Sequence, residues 1–162
     1  MPTTRISGVA THLPERTQDT ADTEVELRQR NGHLRLATGL ISRLTGVQRV
    51  HVRPEGWQAS DLAVAAARKL IDEQPGDIDL LMFASASQDL IEPATSHIVS
   101  AKLGLSAPVF DVKNACNSVI NALQIADALI RAGSHRRILI VSGEPPTSAV
   151  RWQLRDRAQF VR

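Results

Sequence analysis

Apolar residues in the second half of the chain alternate between short continuous runs and helical spacing. The run Ile78–Ser85 is bounded by turn residues, which predicts a strand that is buried on both faces. Helical spacing follows over Thr95–Leu103 and over Asn117–Arg131, and each stretch is closed by a glycine. Val109–Val112 and Arg137–Ser142 predict two more strands. The order of strand, helix, strand, helix and strand predicts an α/β fold with a parallel sheet and right-handed crossovers.

The earlier part of the chain predicts shorter elements. Ser60 is expected to cap a helix, because a serine oxygen accepts hydrogen bonds from backbone N–H groups of the first turn. Pro75 is expected to end that helix. The other predicted elements are strands over Arg5–Ala10 and Val47–Val52 and helices over Glu24–Arg30 and Leu36–Leu44, the last of which is stopped by Gly46.

Composition narrows the class of protein. A chain of 162 residues has the length of about one domain. Its 43% hydrophobic and 22% charged residues exclude a disordered or collagen-like chain. No apolar stretch is long enough to span a bilayer, and no apolar segment of a signal peptide follows Arg5. A cytoplasmic protein without a membrane span is therefore expected.

The formal charge of +2 is concentrated at the end of the chain, where residues 151–162 hold four arginines and one aspartate. The rest of the chain is nearly neutral, and aromatic residues make up only 3% of the sequence. A nucleic-acid-binding surface needs a basic face or aromatic side chains for base stacking. No nucleic-acid partner is expected.

The single cysteine, Cys116, lies between the strand ending at Val112 and the helix starting at Asn117. It therefore sits at the carboxyl end of a strand, where open α/β folds place their sites. Backbone N–H groups and the dipole at the start of a helix stabilise an anion, which favours the nucleophilic thiolate. The competing interpretation is a small buried hydrophobic residue. None of the five histidines has metal-ligand spacing with another or with Cys116, so no metal site is expected.

The helix after Cys116 is apolar around most of its circumference. Its narrow polar stripe consists of Asn117, Asn121, Gln124 and Arg131. Such a helix is typical of the centre of a larger body, which predicts that further protein covers it.

Several segments resemble the amino-terminal half of the thiolase superfamily, in particular its ketoacyl synthase III branch. They follow the family's order and spacing over nearly the whole chain, and the unit of strand, cysteine and apolar helix is the most specific among them. The matching segments are residues 6–15, 41–47, 93–105, 110–116 and 137–143. The resemblance implies a thiolase-like fold in which residues 1–162 form the amino-terminal lobe. It also implies that Cys116 accepts an acyl group before a Claisen condensation, decarboxylative or not.

A narrower resemblance is to the olefin-pathway thiolase that condenses two fatty acyl-CoAs head to head. It rests on the runs Glu92–Thr95, Asn114–Cys116 and Ser142–Glu144. It implies that Glu92 reaches across a homodimer and acts as the base that deprotonates the second acyl chain. The competing interpretation is a solvated loop acid. Transfer of the acyl group to a hydroxyl or an amine is a third variant.

The expected substrates are thioesters of coenzyme A or acyl carrier protein, and no tightly bound cofactor is expected. The family often has a tryptophan and an arginine where Leu40 and Leu44 stand. Arg43 is the remaining candidate for binding CoA. The absence of the tryptophan and the arginine makes a carrier protein more plausible as the acyl donor than CoA. The arginines of residues 151–162 could dock a carrier protein, and His97 is interpreted as a surface or interface residue.

The family's catalytic histidine and asparagine, and the glycine N–H of its oxyanion hole, come from a carboxyl-terminal half that these residues lack. The chain is therefore expected to be a piece of a longer protein, one subunit of a split synthase, or a degenerate half. Alone it is expected to be inactive. The alternative from another class is a non-catalytic half that serves as partner or scaffold.

Overall fold

The computed structural model describes residues 3–146 and 152–156. These residues form two compact units. The core unit comprises residues 3–13 and 55–145, and the second unit comprises residues 14–54 with the described residues after Pro145. The elements in chain order are β1 (Thr17–Asp19), α1 (Thr20–Arg30), a 3-10 helix (Gly32–Leu34), α2 (Leu40–Thr45), β2 (Arg49–His51), α3 (Ala59–Glu73), β3 (Leu80–Ala84), α4 (Thr95–Leu103), β4 (Val109–Val112), α5 (Ser118–Arg131) and β5 (Ile138–Val141).

The core unit is built on a parallel sheet of three strands in the order β4-β3-β5. Every residue of the central strand β3 is buried, as the continuous apolar run predicts. Leu81 and Phe83 face one side of the sheet and pack with residues of α3 and α4. Leu80, Met82 and Ala84 face the other side and pack with α5. The predicted α/β class and the parallel pairing are confirmed.

Helix α3 begins earlier than expected, so the prediction of Ser60 as its cap is wrong. Gln58 is the N-cap residue, and its backbone N–H donates to Asp61 Oδ2 at 2.8 Å in a capping box. Ser60 lies in the first turn, where its backbone N–H donates to Asp89 Oδ1 at 2.9 Å. The acceptor for the Ser60 backbone N–H is thus the side chain of Asp89, in a loop 29 positions further along the chain.

Helix α5 is covered on one side. Ser118, Ala122 and Ala126 are buried against the sheet. Val119 and Ile120 on the other side are 40% and 52% exposed, and Leu123 is 36% exposed. Within this chain the helix is therefore only half buried, and burial of its second face stays a prediction for a larger body.

The predicted strand over Arg5–Ala10 is wrong for the described chain. A strand needs a neighbour to satisfy its backbone groups, and no strand within residues 3–146 and 152–156 pairs with this segment. The residue that follows α3 holds part of it instead, since Gln74 Nε2 donates to the Ser7 carbonyl oxygen at 3.0 Å. Its apolar residues Ile6 and Val9 are 68% and 76% exposed.

The second unit contains an antiparallel pair, β1 and β2, and two helices. Helix α1 starts four residues before the predicted helix, and α2 starts at Leu40 because Gly39 adopts a left-handed backbone with φ 71°. The buried carboxylate of Glu24 fixes this start by accepting from the backbone N–H groups of Gly39 and Ile41, each at 2.6 Å. The predicted stop at Gly46 is confirmed.

No helix among the described residues is both long and apolar enough to cross a membrane.

Candidate active site

Three connections leave the same edge of the core sheet, because its strands run parallel. They are residues 85–94 after β3, residues 113–117 after β4 and residues 142–146 after β5. The carboxyl edge of such a sheet is where open α/β folds bind ligands. Cys116 lies in the second connection and Glu92 in the first, so both predicted catalytic residues belong to this edge.

Cys116 is presented by a tight turn between β4 and α5. Its neighbour Ala115 has φ 47°, a left-handed conformation that costs a residue with a side chain about 1–2 kcal/mol. The buried Ser118 closes the turn, because its hydroxyl donates to the Ala115 carbonyl oxygen and accepts from the Asn114 N–H, both at 2.8 Å. The Cys116 side chain is a free, exposed thiol. Strained backbone of this kind concentrates at functional sites.

The amino terminus of α5 follows the thiol directly, with Asn117 as the N-cap residue and Ser118 as the first helical residue. The dipole at the start of a helix favours negative charge there. An exposed thiol in this position can react as a thiolate and accept an acyl group as a thioester.

A chain of side-chain amides runs from the cysteine turn along α5. Asn114 Nδ2 donates to Asn121 Oδ1 at 2.7 Å, and Asn121 Nδ2 donates to Gln124 Oε1 at 3.1 Å. Two residues of the polar stripe predicted from the sequence, Asn121 and Gln124, are therefore joined to the turn, whereas Arg131 pairs with Asp127. The amide chain gives one side of the cysteine turn a polar surface, next to the exposed apolar residues of α5.

Glu92 lies near the tip of the loop 85–94 and is exposed. The apolar residues before it are exposed as well, Leu90 at 50% and Ile91 at 86%. The peptide bond from Glu92 to Pro93 is cis. Among the described residues, no hydrogen bond or ion pair joins Glu92 to Cys116. The two residues share the same edge of the sheet.

The middle of the same loop is anchored to three neighbouring segments, the starts of α3 and α4 and the cysteine turn. Asp89 accepts from the Ser60 N–H at 2.9 Å and donates its own backbone N–H to Thr95 Oγ1 at 3.1 Å. The Lys113 ammonium group donates to Gln88 Oε1. Because Lys113 precedes Cys116 by only three residues, this hydrogen bond ties the loop of Glu92 to the turn of the cysteine.

Glu144, in the third connection, holds the first residues of the loop. Its Oε1 accepts from Ser85 Oγ and the Ala86 N–H, and its Oε2 accepts from Ser87 Oγ, each at 2.6 Å. Partial burial alone would raise the pKa of Glu144, but the hydrogen bonds from Ser85, Ser87 and two backbone N–H groups outweigh it and hold the pKa below its ordinary value. Sequence reasoning missed the roles of Glu144 and Ser118. The available signal was their position, Glu144 three residues after the last residue of β5 and Ser118 at the start of a helix.

Arg43 is exposed on α2 in the second unit. Its guanidinium is folded back on the start of its own helix, where Nε donates to the Gly39 carbonyl oxygen and Nη2 to that of Thr38, both at 3.1 Å. The role of Arg43 in binding CoA stays a prediction. His97 on α4 is exposed, as predicted for a surface residue. Of the docking arginines, Arg151, Arg157 and Arg162 lie outside the described residues.

Within residues 3–146 and 152–156, no group of three histidine, cysteine, aspartate or glutamate side chains could hold a metal ion.

Comparison with known proteins points to one group of enzymes. The family model of 3-oxoacyl-[acyl-carrier-protein (ACP)] synthase III matches residues 110–161. Beta-ketoacyl-[acyl-carrier-protein] synthase III of Cereibacter sphaeroides is 34% identical over 160 residues, which are 96% of this chain and 47% of that protein. The protein of the same name from Thiobacillus denitrificans is 34% identical over 162 residues, 97% of this chain and 48% of its own length. The chain thus spans about half the length of the curated relatives it matches.

Solved structures agree with these matches. Cerulenin-bound OleA from Xanthomonas campestris superposes with a TM-score of 0.81 at 32% identity, and the match covers 89% of this chain and 45% of OleA. Beta-ketoacyl-[acyl carrier protein] synthase III from Thermus thermophilus superposes with a TM-score of 0.78 at 31% identity, covering 96% and 47%. The fold is therefore thiolase-like. Sequence and fold together confirm that this chain resembles about half of a member of the ketoacyl synthase III branch of the thiolase superfamily.

Proposed function

We propose that this chain carries the nucleophile of an acyl-thioester condensing enzyme of the 3-oxoacyl-ACP synthase III type. The observation that carries the proposal is the presentation of Cys116, an exposed thiol on a strained turn directly before the amino terminus of α5. The names of the relatives support the same reaction class.

In the proposed reaction, the Cys116 thiolate attacks the carbonyl carbon of an acyl thioester. A new bond from carbon to Sγ forms, and the bond to the sulfur of coenzyme A or of the carrier protein breaks. The α-carbon of a second thioester, made nucleophilic by loss of CO₂ or of a proton, then attacks the acyl carbonyl carbon. The Cys116 sulfur leaves as thiolate, and a 3-oxoacyl thioester is released.

The proposal includes a carboxyl-terminal half that supplies the histidine, the asparagine and the second oxyanion N–H group. Two observations support it: the chain spans about half the length of its relatives, and α5 exposes Val119, Ile120 and Leu123 on the side away from the sheet. We call the chain together with that half the assembled enzyme. A homodimer of assembled enzymes, a cytoplasmic location and a CoA or carrier-protein donor are parts of the same proposal.

Intact-mass measurement tests the nucleophile. The assembled enzyme is incubated with acyl-CoA or acyl carrier protein, and we expect a mass increase of one acyl group that Cys116→Ser abolishes. Glu73→Gln is the matched control, because Glu73 is an exposed acid on α3 remote in sequence from the three connections. The absence of an adduct with either class of donor would favour the scaffold alternative.

A second candidate reaction is the head-to-head condensation of two unactivated acyl-CoAs, with Glu92 as the base. The observation that favours it is an exposed carboxylate held between exposed apolar residues on an anchored loop. Glu92→Gln should leave the acylation of Cys116 intact and stop this condensation. If condensation with a malonyl donor proceeds unchanged in Glu92→Gln, the simpler synthase III reaction stands. An ester or amide product would instead indicate acyl transfer to a hydroxyl or an amine.

A further inference from the structure

We propose that Glu144 is a positioning residue, whose carboxylate fixes the loop 85–94 and so sets the place of Glu92 at the sheet edge. The consequence for catalysis rests on the proposed function of this edge. The clamp itself rests only on the contacts of Glu144, and it can be tested without any turnover.

The contacts of Glu144 form a two-pronged clamp. One oxygen accepts from the Ser85 hydroxyl and the Ala86 N–H, and the other accepts from the Ser87 hydroxyl, all at 2.6 Å. The same Ser85 hydroxyl lies 2.8 Å from the Gly143 carbonyl oxygen, so its single hydrogen is shared between two acceptors of the third connection. Three consecutive loop residues are thus attached to the connection that follows β5. Hydrogen bonds to an ionised group are stronger than neutral ones, which suits a carboxylate at this place.

The approach of the two connections depends on Gly143. A Cβ atom at this position would lie 1.9 Å from the Ala59 carbonyl oxygen at the start of α3, closer than any side chain can come. The chain therefore passes directly over the start of α3 and presents Glu144 at the first residues of the loop. This placement is enforced by the backbone, so the clamp is built into the fold.

The clamp complements the other anchors of the loop. Asp89 and Gln88 are held by Ser60, Thr95 and Lys113. These anchors lie on the side of the loop nearer to Glu92, whereas Glu144 holds the side nearer to β3. The loop is fixed from both directions up to Asp89, and only the stretch from Leu90 to Pro93 projects. The Glu92 carboxylate therefore lies on a short segment next to a fixed part of the loop, which limits the positions it can take. A proton acceptor that acts on a second substrate needs such a defined position.

Hydrogen–deuterium exchange of the assembled enzyme tests the clamp. In Glu144→Gln, the negative charge is lost and a nitrogen donor replaces one acceptor oxygen, so the hydrogen bonds to the loop weaken, and we expect the amides of Ala86 and Ser87 to exchange roughly tenfold faster. Glu144→Ala should increase exchange further, over the stretch up to Glu92. Glu73→Gln, the same substitution on α3, should leave the exchange of the loop unchanged. Unaltered exchange in both Glu144 variants would overturn the proposal.

A kinetic measurement separates this clamp from the chemistry it serves. If Glu92 is the base, Glu144→Gln should retain the acylation of Cys116 and lose condensation, and Glu144→Asp should restore part of it by returning a carboxylate. If exchange rises in Glu144→Gln while Glu92→Gln condenses normally, the clamp stands and the role of Glu92 as base is wrong. Loss of acylation in Glu144→Gln with unchanged loop exchange would contradict the positioning role.

Discussion

The two connections that carry Cys116 and Glu92 leave neighbouring strands, yet they are held in opposite ways. The centre of the turn 113–117 is fixed by a residue next to it, since Ser118 binds Asn114 and Ala115, and only Lys113 at its start reaches across to Gln88 of the loop. The loop 85–94 is fixed by residues far away in the chain, with Glu144 lying 59 positions beyond Ser85. The nucleophile is thus placed by local structure, and the carboxylate is placed by the assembled sheet.

This difference separates the effects expected of substitutions. A change in the cysteine turn should alter the reactivity of the thiol and leave the loop in place. A change where the connections meet should displace the loop and spare the turn, because the turn carries its own hydrogen bonds. Each of the following predictions tests this separation.

The largest effect is expected for Gly143→Ala. The added methyl group would overlap the Ala59 carbonyl oxygen, so the third connection must move away from α3 and take Glu144 with it. We expect a loss of about 3 kcal/mol in the free energy of unfolding, at the upper end for overpacking, measured by denaturant titration. The backbone amides of the loop 85–94 should exchange hydrogen for deuterium faster, as in the Glu144 variants.

Gly104→Ala is the control for this substitution. Its added methyl group would meet open space, so only the left-handed backbone at φ 71° opposes it, at a cost of about 1 kcal/mol. Equal losses for the two variants would mean that steric overlap at Gly143 is absent and that the third connection is not held against α3.

Ser118→Ala should have the next largest effect. It removes the buried hydroxyl that bridges Asn114 and Ala115, so the Asn114 N–H loses its acceptor and the Ala115 carbonyl oxygen loses a donor. We expect a loss of about 2 kcal/mol and slower acylation of Cys116, with loop exchange unchanged. Ser134→Ala at the other end of α5 is the control, because its hydroxyl is exposed and water can replace it. Normal acylation in Ser118→Ala would show that the bridge does not position the thiol.

Ala115→Gly should change stability in the opposite direction and by less. Glycine relieves the left-handed strain at φ 47°, and the greater entropy of the unfolded chain offsets part of this gain. We expect a net stabilisation of about 0.5 kcal/mol, seen as a higher melting temperature, together with slower acylation because the turn is less rigid. Ala132→Gly, at an ordinary helical φ of −71°, should instead destabilise. A lower melting temperature for Ala115→Gly would contradict stored strain in the turn.

The same division between local and distant control decides what the sequence could predict. Strands β3 and β4 and helix α4 follow from apolar runs and glycine stops, and the cysteine turn follows from its place between β4 and α5. Gln58 and not Ser60 caps α3 through its capping box with Asp61. The Ser60 side chain instead accepts from Lys102, 42 positions away. The contact of Glu144 with Ser85 to Ser87 has no local signature either, since it exists only after β3 and β5 pair. Arg5–Ala10 has the composition of a strand, but a partner strand cannot be read from the segment itself.

The smallest effect on stability is expected from lowering the pH. Because the pKa of Glu144 lies below its ordinary value of 4.5, its carboxylate stabilises the folded state above about pH 4.5, and this contribution is lost as the pH falls through the lowered pKa. The difference in melting temperature between the wild-type protein and Glu144→Gln should therefore be constant at neutral pH and shrink below pH 4.5. All other acidic residues are common to both proteins, so this difference isolates the contribution of Glu144. If the difference in melting temperature stays the same at acid pH, the charge of Glu144 is not what holds the loop. The packing of the Glu144 side chain would then have to account for the clamp.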